Sequence, residues 1–257
     1  MSTWVFLRGL TRESRHWGEF PEVFRNTIAD AEIVTLDLPG NGSLNRMESP
    51  LRVEQMADYC HAEMQARGLS PPYFLLAMSL GAMVAVAWAE RHPRDITAAV
   101  LISTSLRPFS PFYRRLRPAN YLRLLRLFGA RPGDRELEMA ILQTTTWLVS
   151  DPAVVIEQWL QWRRENPVSP RNALRQLLAA ARYRAPRERP IEHFLLLAGA
   201  RDALVDPLCS RQLAAAWGAP LAVHATAGHD LPLDDAAWVL EQVASWLDRV
   251  HPAPARA

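Results

Sequence analysis

The sequence predicts an α/β fold with a mostly parallel, doubly wound sheet, and two observations support this prediction. Short apolar runs alternate with amphipathic helical segments up to about residue 102, and the alternation resumes after residue 190. In such a pattern each run forms a buried strand, and the intervening helices cover both faces of a parallel sheet. Between the two parts, residues 106–190 contain helical patterns separated by prolines and no convincing strand. We therefore predict one sheet domain that carries a helical insertion.

The predicted elements set the boundaries of this organisation. Residues 1–105 and 191–250 form the core, residues 106–190 form the helical insertion, and residues 251–257 form a disordered tail. The predicted strands are Trp4–Leu7, Glu32–Leu36, Tyr73–Met78, Ile96–Ile102, Phe194–Ala198 and Leu221–His224. The predicted helices of the insertion are Tyr121–Phe128, Glu136–Val149, Ala153–Arg164 and Asn172–Tyr183, and a final helix is predicted over Asp234–Val250.

The composition restricts the class of protein. At 257 residues, with 49% of them hydrophobic, the chain can bury a sizeable core and is not intrinsically disordered. A net charge of +2 gives no argument for nucleic-acid binding. The cysteines, Cys60 and Cys209, lie far apart in helical patterns, which predicts reduced thiols and no metal or redox motif. With no signal-peptide pattern, and with Phe74–Ala89 too short to span a membrane, a cytoplasmic protein is expected.

The helical insertion concentrates the positive charge of the chain. Residues 106–190 contain 16 arginines and 7 acidic residues, whereas the rest of the chain contains 13 arginines and 20 acidic residues. One interpretation is that these arginines solvate an exposed layer of helices. The other is that the insertion attracts an anionic substrate, an acidic carrier protein or a membrane surface. Both interpretations stand at this point.

The segment Tyr73–Gly81 has the pattern of a nucleophile elbow. An apolar strand runs into a tight turn with Ser79 at its tip, and a helical segment follows at once. Such a turn needs small residues two positions before and after the serine, and these are Ala77 and Gly81. The pattern is therefore A-x-S-x-G, one glycine short of the commoner form. A serine in this position is also typical of a helix N-cap, so the local pattern leaves both interpretations open.

A serine nucleophile needs a base and an acid that orients the base. His229 follows the last predicted strand, at the edge of the sheet where a side chain can reach across the strand ends. Asp202 follows the preceding strand at the same edge, and Asp206 is the second candidate for the acid. Asp230 adjoins the histidine in sequence, where it is poorly placed to reach the imidazole ring. The chain order Ser79, Asp202, His229 is typical of enzymes with a nucleophile elbow.

With these motifs the chain resembles the α/β-hydrolase-fold serine hydrolases over nearly its whole length. The resemblance implies that the backbone N–H groups of Leu10 and Leu80 form the oxyanion hole. Arg8 stands where the family usually has histidine, Thr11 replaces a frequent glycine, and Ala77 replaces the first elbow glycine. The matching segments are Arg8–Gly9–Leu10 (oxyanion loop), Asp37–Gly42 (D-x-P-G-x-G loop), Ala77–Gly81 (elbow), Gly199–Asp202 (acid loop) and Gly228–His229 (histidine loop).

The resemblance implies a carboxylic-ester hydrolase, or a related thioesterase or lactonase, that acts through an acyl-enzyme on a small to medium acyl substrate. It implies neither a metal nor an organic cofactor, and it implies that residues 106–190 cap the pocket. The expected partner is a small acyl compound, anionic or carried by a protein in one interpretation, and not a nucleic acid. Activity should fall when His229 becomes protonated. Hydrolysis of a carbon–carbon bond by the same triad, and a ligand-binding or receptor protein with little turnover, remain alternatives.

Overall fold

The computed structural model describes residues 2–122 and 134–250, and every structural statement below refers to this part of the chain. The predicted tail at 251–257 lies outside the described residues, and so does the predicted helix Tyr121–Phe128 apart from its first two residues. Both stay predictions. Within the described ranges, no helix is both long and apolar enough to cross a membrane.

The described residues contain a six-stranded sheet formed by β1 (Ser2–Leu7), β2 (Ala31–Leu36), β3 (Tyr73–Met78), β4 (Ile96–Ile102), β5 (His193–Gly199) and β6 (Leu221–His224). All neighbouring strands are parallel, in the order β2-β1-β3-β4-β5-β6, which confirms the predicted fold class. Strands β3, β4 and β6 have the predicted ends, and the others differ by at most two residues. The strand order changes direction between β1 and β3, because β2 lies on one side of β1 and β3 lies on the other. In open α/β sheets, ligands bind beyond the carboxyl ends of the strands at such a reversal.

In chain order, the described helices are α1 (Phe20–Thr27), α2 (Val53–Ala66), α3 (Leu80–Arg91), α4 (Phe112–Arg115), α5 (Arg135–Thr145), α6 (Pro152–Glu165), α7 (Pro170–Arg182), α8 (Leu208–Trp217), α9 (Leu231–Asp234) and α10 (Ala236–Val250). They cover both faces of the sheet. Successive side chains of a strand point to opposite faces, so alternate residues of one strand belong to two different apolar clusters. Trp4 and Phe6 of β1 belong to one apolar cluster with residues of α1 and α10. Val5 and Leu7 belong to a second cluster with residues of α2, α3 and α8.

Helices α4 to α7 lie in the predicted insertion, whose described residues contribute no strand to the sheet. Three of these helices have a side-chain cap at the N-terminus. Asp134, Asp151 and Ser169 each accept a hydrogen bond from a backbone N–H of the first turn. Helices α5 and α6 pack together around a small apolar cluster of their own. Helix α7 differs, because Ala179 and Tyr183, at its C-terminal end, join the core on the sheet. That the insertion is a separate cap remains a prediction.

The prediction of one final helix over Asp234–Val250 is wrong at its N-terminal end. The structure has the short helix α9, then a break at Asp235 (φ −154°, ψ 83°), and then α10. The break coincides with contacts between residues that are mostly far apart in the sequence. The Asp234 carboxylate accepts hydrogen bonds from the backbone N–H groups of Trp147 (2.8 Å), Leu148 (2.9 Å) and Gly228 (2.6 Å). These contacts hold residue 234 against the histidine loop and the end of α5.

Candidate active site

Ser79 lies at the turn between β3 and α3. Its backbone adopts φ 55° and ψ −115°, and such a conformation costs a residue with a side chain about 1–3 kcal/mol. Ser79 occupies the N-cap position of α3, yet within the described residues its hydroxyl makes no capping hydrogen bond. Its backbone N–H is anchored on the carbonyl oxygen of Ile102 in β4, at 3.0 Å. The helix-cap interpretation of this serine therefore does not account for its side chain.

Small residues let the turn pack closely against the loop that follows β1. A β-carbon at Gly81 would overlap the carbonyl oxygen of Leu7. A β-carbon at Gly9 would lie 3.1 Å from the Ser79 Cβ, closer than an ordinary van der Waals contact. Ala77 is fully buried in β3 and pairs in register with Leu7 of β1. The strand accommodates its methyl group, so alanine in place of the first elbow glycine leaves the turn intact.

Asp202 and His229 form a buried pair beyond the carboxyl ends of β5 and β6. His229 Nδ1 lies 2.7 Å from Asp202 Oδ2, and each residue is no more than 3% exposed. The other carboxylate oxygen accepts hydrogen bonds from the backbone N–H groups of Leu204 and Val205, both at 2.8 Å. The carboxylate is thereby fixed in orientation. An imidazole held through Nδ1 presents Nε2 for proton transfer.

Asp206, the second candidate for the acid, lies in other surroundings, and so does His224, the histidine of β6. Asp206 accepts a hydrogen bond from the backbone N–H of Leu208 (2.9 Å) and lies 4.0 Å from Arg114. His224 Nε2 lies 3.2 Å from Asp235 Oδ2 at the end of β6. These contacts are local ones that begin α8 and connect β6 with α10. The structure therefore brings Asp202, and not Asp206, to the histidine loop.

Ser79 and His229 border the same cavity, together with Gly9 and Leu10 of the loop after β1. Helices α5 and α6 of the insertion contribute the apolar side chains of Leu137, Ala140, Ile141 and Trp159 to the lining. Leu80 follows Ser79 as the first residue of α3. Its N–H therefore belongs to the N-terminal end of a helix, where the aligned peptide dipoles favour negative charge. The hydroxyl and the imidazole, which is paired with a carboxylate, thus border one cavity, and the helix N-terminus at Leu80 lies directly beside Ser79.

Arg8 makes a contact that sequence reasoning missed. Its guanidinium forms a two-point pair with the Asp230 carboxylate, at 3.2 Å and 2.5 Å, and both residues are 3% exposed. The guanidinium carbon also lies 4.7 Å from the centre of a Trp17 ring. Asp230 adjoins His229, so the pair ties the oxyanion loop to the histidine loop. The two residues are 222 positions apart, and no local pattern indicates the contact.

A double-mutant cycle is expected to show strong coupling between Arg8 and Asp230. Either Arg8→Met or Asp230→Asn leaves one buried charge without its partner, at a cost of about 3–5 kcal/mol in the free energy of unfolding. The double variant should lose less than the sum of the single losses, because it leaves neither charge unpaired. Urea unfolding of the four proteins measures the coupling. Additive losses would contradict the interpretation.

A second buried charge cluster joins the insertion to the loop after β1. Glu138 of α5 is 1% exposed and pairs with Arg12, at 2.9 Å, and with Arg163 of α6. Burial favours a higher pKa for Glu138, but the two guanidiniums outweigh it and hold the pKa of this carboxyl below its ordinary value. The Arg12 guanidinium also lies 4.0 Å from the centre of a Trp159 ring. The cluster connects Arg12, two positions after Leu10, to both α5 and α6.

Gln176 of α7 holds the neighbouring residue of the same loop. Its side-chain oxygen accepts a hydrogen bond from the Thr11 backbone N–H at 2.9 Å. Its amide nitrogen donates to Asn41 Oδ1 (2.7 Å) and Ser49 Oγ (3.0 Å). Thr11 adopts φ 55°, a conformation that usually favours glycine, and this contact helps to hold it. Helix α7 thus helps to position the loop after β1.

The described residues contain one cluster with the composition of a metal site, away from the serine. Donor atoms of His61, His92 and Asp95 lie within 4.8 Å of one another. The two imidazole rings are stacked, with centroids 3.9 Å apart and planes inclined by 7°. A metal ion binds in the plane of an imidazole ring, and parallel stacked rings have no common in-plane position. We assign no metal to this cluster.

Comparison with known proteins identifies the family. A family model described as the alpha/beta hydrolase family matches residues 4–242, so the chain belongs to this family. A curated relative, the biotin biosynthesis bifunctional protein BioHC of Teredinibacter turnerae (strain ATCC 39867 / T7901), is 31% identical over 105 residues. This alignment covers 40% of the chain and 17% of the relative.

Solved structures share the fold at low sequence identity. A thermophilic esterase from Thermogutta terrifontis is 19% identical with a TM-score of 0.75, covering 98% of this chain and 91% of its own. The esterase RhEst1 from Rhodococcus sp. ECU1013 is 18% identical with a TM-score of 0.74, covering 97% and 91%. A bacterial membrane phospholipase A is 21% identical with a TM-score of 0.79, covering 98% and 80%. At this level of identity the similarity establishes the fold alone.

Proposed function

We propose that the protein is a serine hydrolase that cleaves a carboxylic ester of a small to medium acyl group through Ser79, His229 and Asp202. One observation carries the proposal: Ser79, on its strained turn, and His229, bound to a buried carboxylate, border one apolar cavity. A hydroxyl becomes an effective nucleophile only beside an oriented base, and this arrangement supplies one. A thioester or a lactone would react in the same way.

The proposed reaction forms and then hydrolyses an acyl-enzyme. His229 Nε2 takes the proton of Ser79 as the hydroxyl oxygen attacks the ester carbon, and it gives that proton to the departing alkoxide. Asp202 stabilises the imidazolium that forms between these steps. The N–H groups of Leu10 and Leu80 donate to the oxyanion, a contribution typically worth about 2.7–4 kcal/mol for each donor. Water, deprotonated by His229, then releases the acid and restores Ser79.

A fluorophosphonate probe tests the nucleophile. Wild-type protein should gain the mass of one covalently bound probe, located by peptide mapping at Ser79, because the activated hydroxyl displaces fluoride from phosphorus. Ser79→Ala should gain none. Ser103→Ala is a control, because Ser103 also has a positive φ (48°) but is buried and follows β4. Its labelling should equal that of wild type.

The same experiment distinguishes the proposal from its alternatives. If wild-type protein is neither labelled nor able to hydrolyse esters, while Ser79→Ala still binds acyl ligands, the chain is a binding protein on a hydrolase fold. Turnover of a β-diketone with no turnover of esters would instead favour hydrolysis of a carbon–carbon bond. Esters, thioesters, lactones and β-diketones should therefore be assayed together.

A specific contact favours an anionic substrate as a refinement of this proposal. Arg115 of α4 borders the larger of two cavities at Ser79. Its Nη2 donates to the carbonyl oxygen of Ala180 at 2.6 Å, and its Nε is buried without a partner. Burial lowers the pKa of Arg115, and no carboxylate among the described residues pairs with it. A carboxylate on the acyl group would supply the missing partner. The exposed arginines of the insertion would attract such an anion, free or carried by a protein.

Substrate charge tests the role of Arg115. Arg115→Gln should lower kcat/KM for monomethyl adipate, an anion, by about tenfold to a hundredfold, the range for a hydrogen bond to a charged group, and leave kcat/KM for neutral dimethyl adipate nearly unchanged. Added salt should weaken the reaction of the anion only. Arg171→Gln is the control, because Arg171 is exposed and pairs with Glu48. Equal losses for both esters would contradict recognition of the charge.

A further inference from the structure

Ser79 lies at the junction of two apolar cavities of unequal size. The first, of about 100 Å³, extends toward α5 and α6, where Ile141 and Trp159 line it. The second, of about 330 Å³, extends between α3 and α7, where Met83 and Ala180 line it. Besides Ser79, the residues that border both cavities are Leu10 and Leu204.

The position of the junction separates the two parts of a substrate. An acyl carbon within reach of Ser79 lies where the two cavities meet. The acyl chain and the leaving group point away from that carbon in different directions, so each enters a cavity of its own. The larger cavity is lined mainly by apolar side chains, and the smaller one includes Leu137, Ala140, Ile141 and Trp159, which suits aliphatic groups in both directions. The remaining question is which part of the substrate enters which cavity.

Proton transfer indicates which part of the substrate enters which cavity. The leaving oxygen must receive a proton from His229, so the leaving group has to lie on the His229 side of Ser79. His229 borders the smaller cavity and not the larger one. Leu80, whose N–H is the proposed oxyanion donor beside Ser79, borders the larger cavity and not the smaller one. The acyl oxygen and the acyl chain are therefore placed toward the larger cavity.

We propose that the larger cavity binds the acyl chain and the smaller cavity binds the leaving group, so that the preferred substrates are esters of a medium-length aliphatic acid with a short alcohol. This inference rests on the proposed ester hydrolysis and adds the direction in which the substrate lies. It assigns Ala180 and Met83 to the acyl site, and Ile141 and Ala140 to the alcohol site. Hydrolysis then yields the medium-length carboxylic acid and the short alcohol.

Two isomeric esters test the direction in wild-type protein. Methyl heptanoate and hexyl acetate have the same molecular formula, so differences in kcat/KM report on which side of the ester the long chain lies. Methyl heptanoate should be preferred by at least about tenfold, since fitting even one methylene into a pocket is worth that much. An equal or faster reaction of hexyl acetate would overturn the inference while leaving the proposed hydrolysis intact. Failure to cleave either ester would overturn both.

Two matched variants test the cavities separately. Ala180→Phe fills the larger cavity, and it should lower kcat/KM for methyl heptanoate more than for hexyl acetate. Ala140→Phe fills the smaller cavity, and it should lower kcat/KM for hexyl acetate more than for methyl heptanoate. Both positions are half-buried helical alanines, and thermal unfolding of each variant verifies its folding. The opposite pattern of losses would assign the cavities in reverse and overturn the inference.

Discussion

Replacing Asp202 by asparagine is expected to lower kcat by about four orders of magnitude, the loss seen when a triad carboxylate becomes an amide. The Asp202 carboxylate accepts two backbone hydrogen bonds on one oxygen and the His229 ring on the other. The isosteric amide keeps the shape but presents a neutral group to the imidazole, which favours the wrong tautomer and leaves the imidazolium unstabilised. Steady-state hydrolysis of methyl heptanoate measures the loss.

Asp206→Asn is the control for this variant. Asp206 lies in the same loop region and receives the same substitution. Its carboxylate, however, caps the first turn of α8 and does not bind the histidine loop. It should keep kcat within a factor of a few. If Asp206→Asn lost as much activity as Asp202→Asn, the assignment of Asp202 as the orienting acid would be wrong. Thermal unfolding of both variants separates a loss of activity from a loss of folding.

Glu138→Gln is expected to lower the free energy of unfolding by about 3–5 kcal/mol. The change leaves Arg12 and Arg163 beside a neutral amide in the same buried space. Glu157→Gln is the control, because the Glu157 pair with Arg135 is exposed at both ends. Exposed pairs contribute only about 0–1 kcal/mol. Urea unfolding at neutral pH compares the two variants.

The effect of Glu138 should also depend on pH in a predictable direction. Its pKa is lower in the folded protein than its ordinary value, despite the opposing effect of burial. Its contribution is therefore fully present above the unfolded-state pKa and is lost as the pH falls through the folded-state pKa. The difference in stability between wild type and Glu138→Gln should shrink as the solution becomes acidic. A difference that is constant down to strongly acidic pH would contradict the charged pairing.

Local patterns account for the parts of this protein that the sequence predicts well. Each strand is a short apolar run bounded by turn residues, and period and length indicate such runs directly. The positions of Asp202 and His229 follow from the strands, because both residues come just after one and parallel strands end at the same edge. The break before α10 was not predictable in this way. It depends on Asp234 binding the backbone of residues 147 and 148.

The contacts around the oxyanion loop lie beyond local patterns for the same reason. Arg8 pairs with Asp230, and Arg12 pairs with Glu138. The Thr11 backbone N–H donates to Gln176. Each of these contacts joins residues more than 100 positions apart in the sequence. From the sequence, Arg8 is notable only as a replacement for the usual histidine of the family, and Arg115 is one of the 16 arginines of the insertion. The structure separates the arginines that are paired with buried carboxylates from Arg115, which is not. This distinction depends on tertiary packing, which a single sequence does not display.

The Asp234 carboxylate joins the segment after α5 to the histidine loop. It accepts backbone hydrogen bonds from both sides of the site, two from the segment after α5 and one from Gly228. Hydrogen bonds to a charged group are worth about 1.5–3 kcal/mol each, so separating these segments would be costly. The end of α5 should therefore move together with the histidine loop as one body.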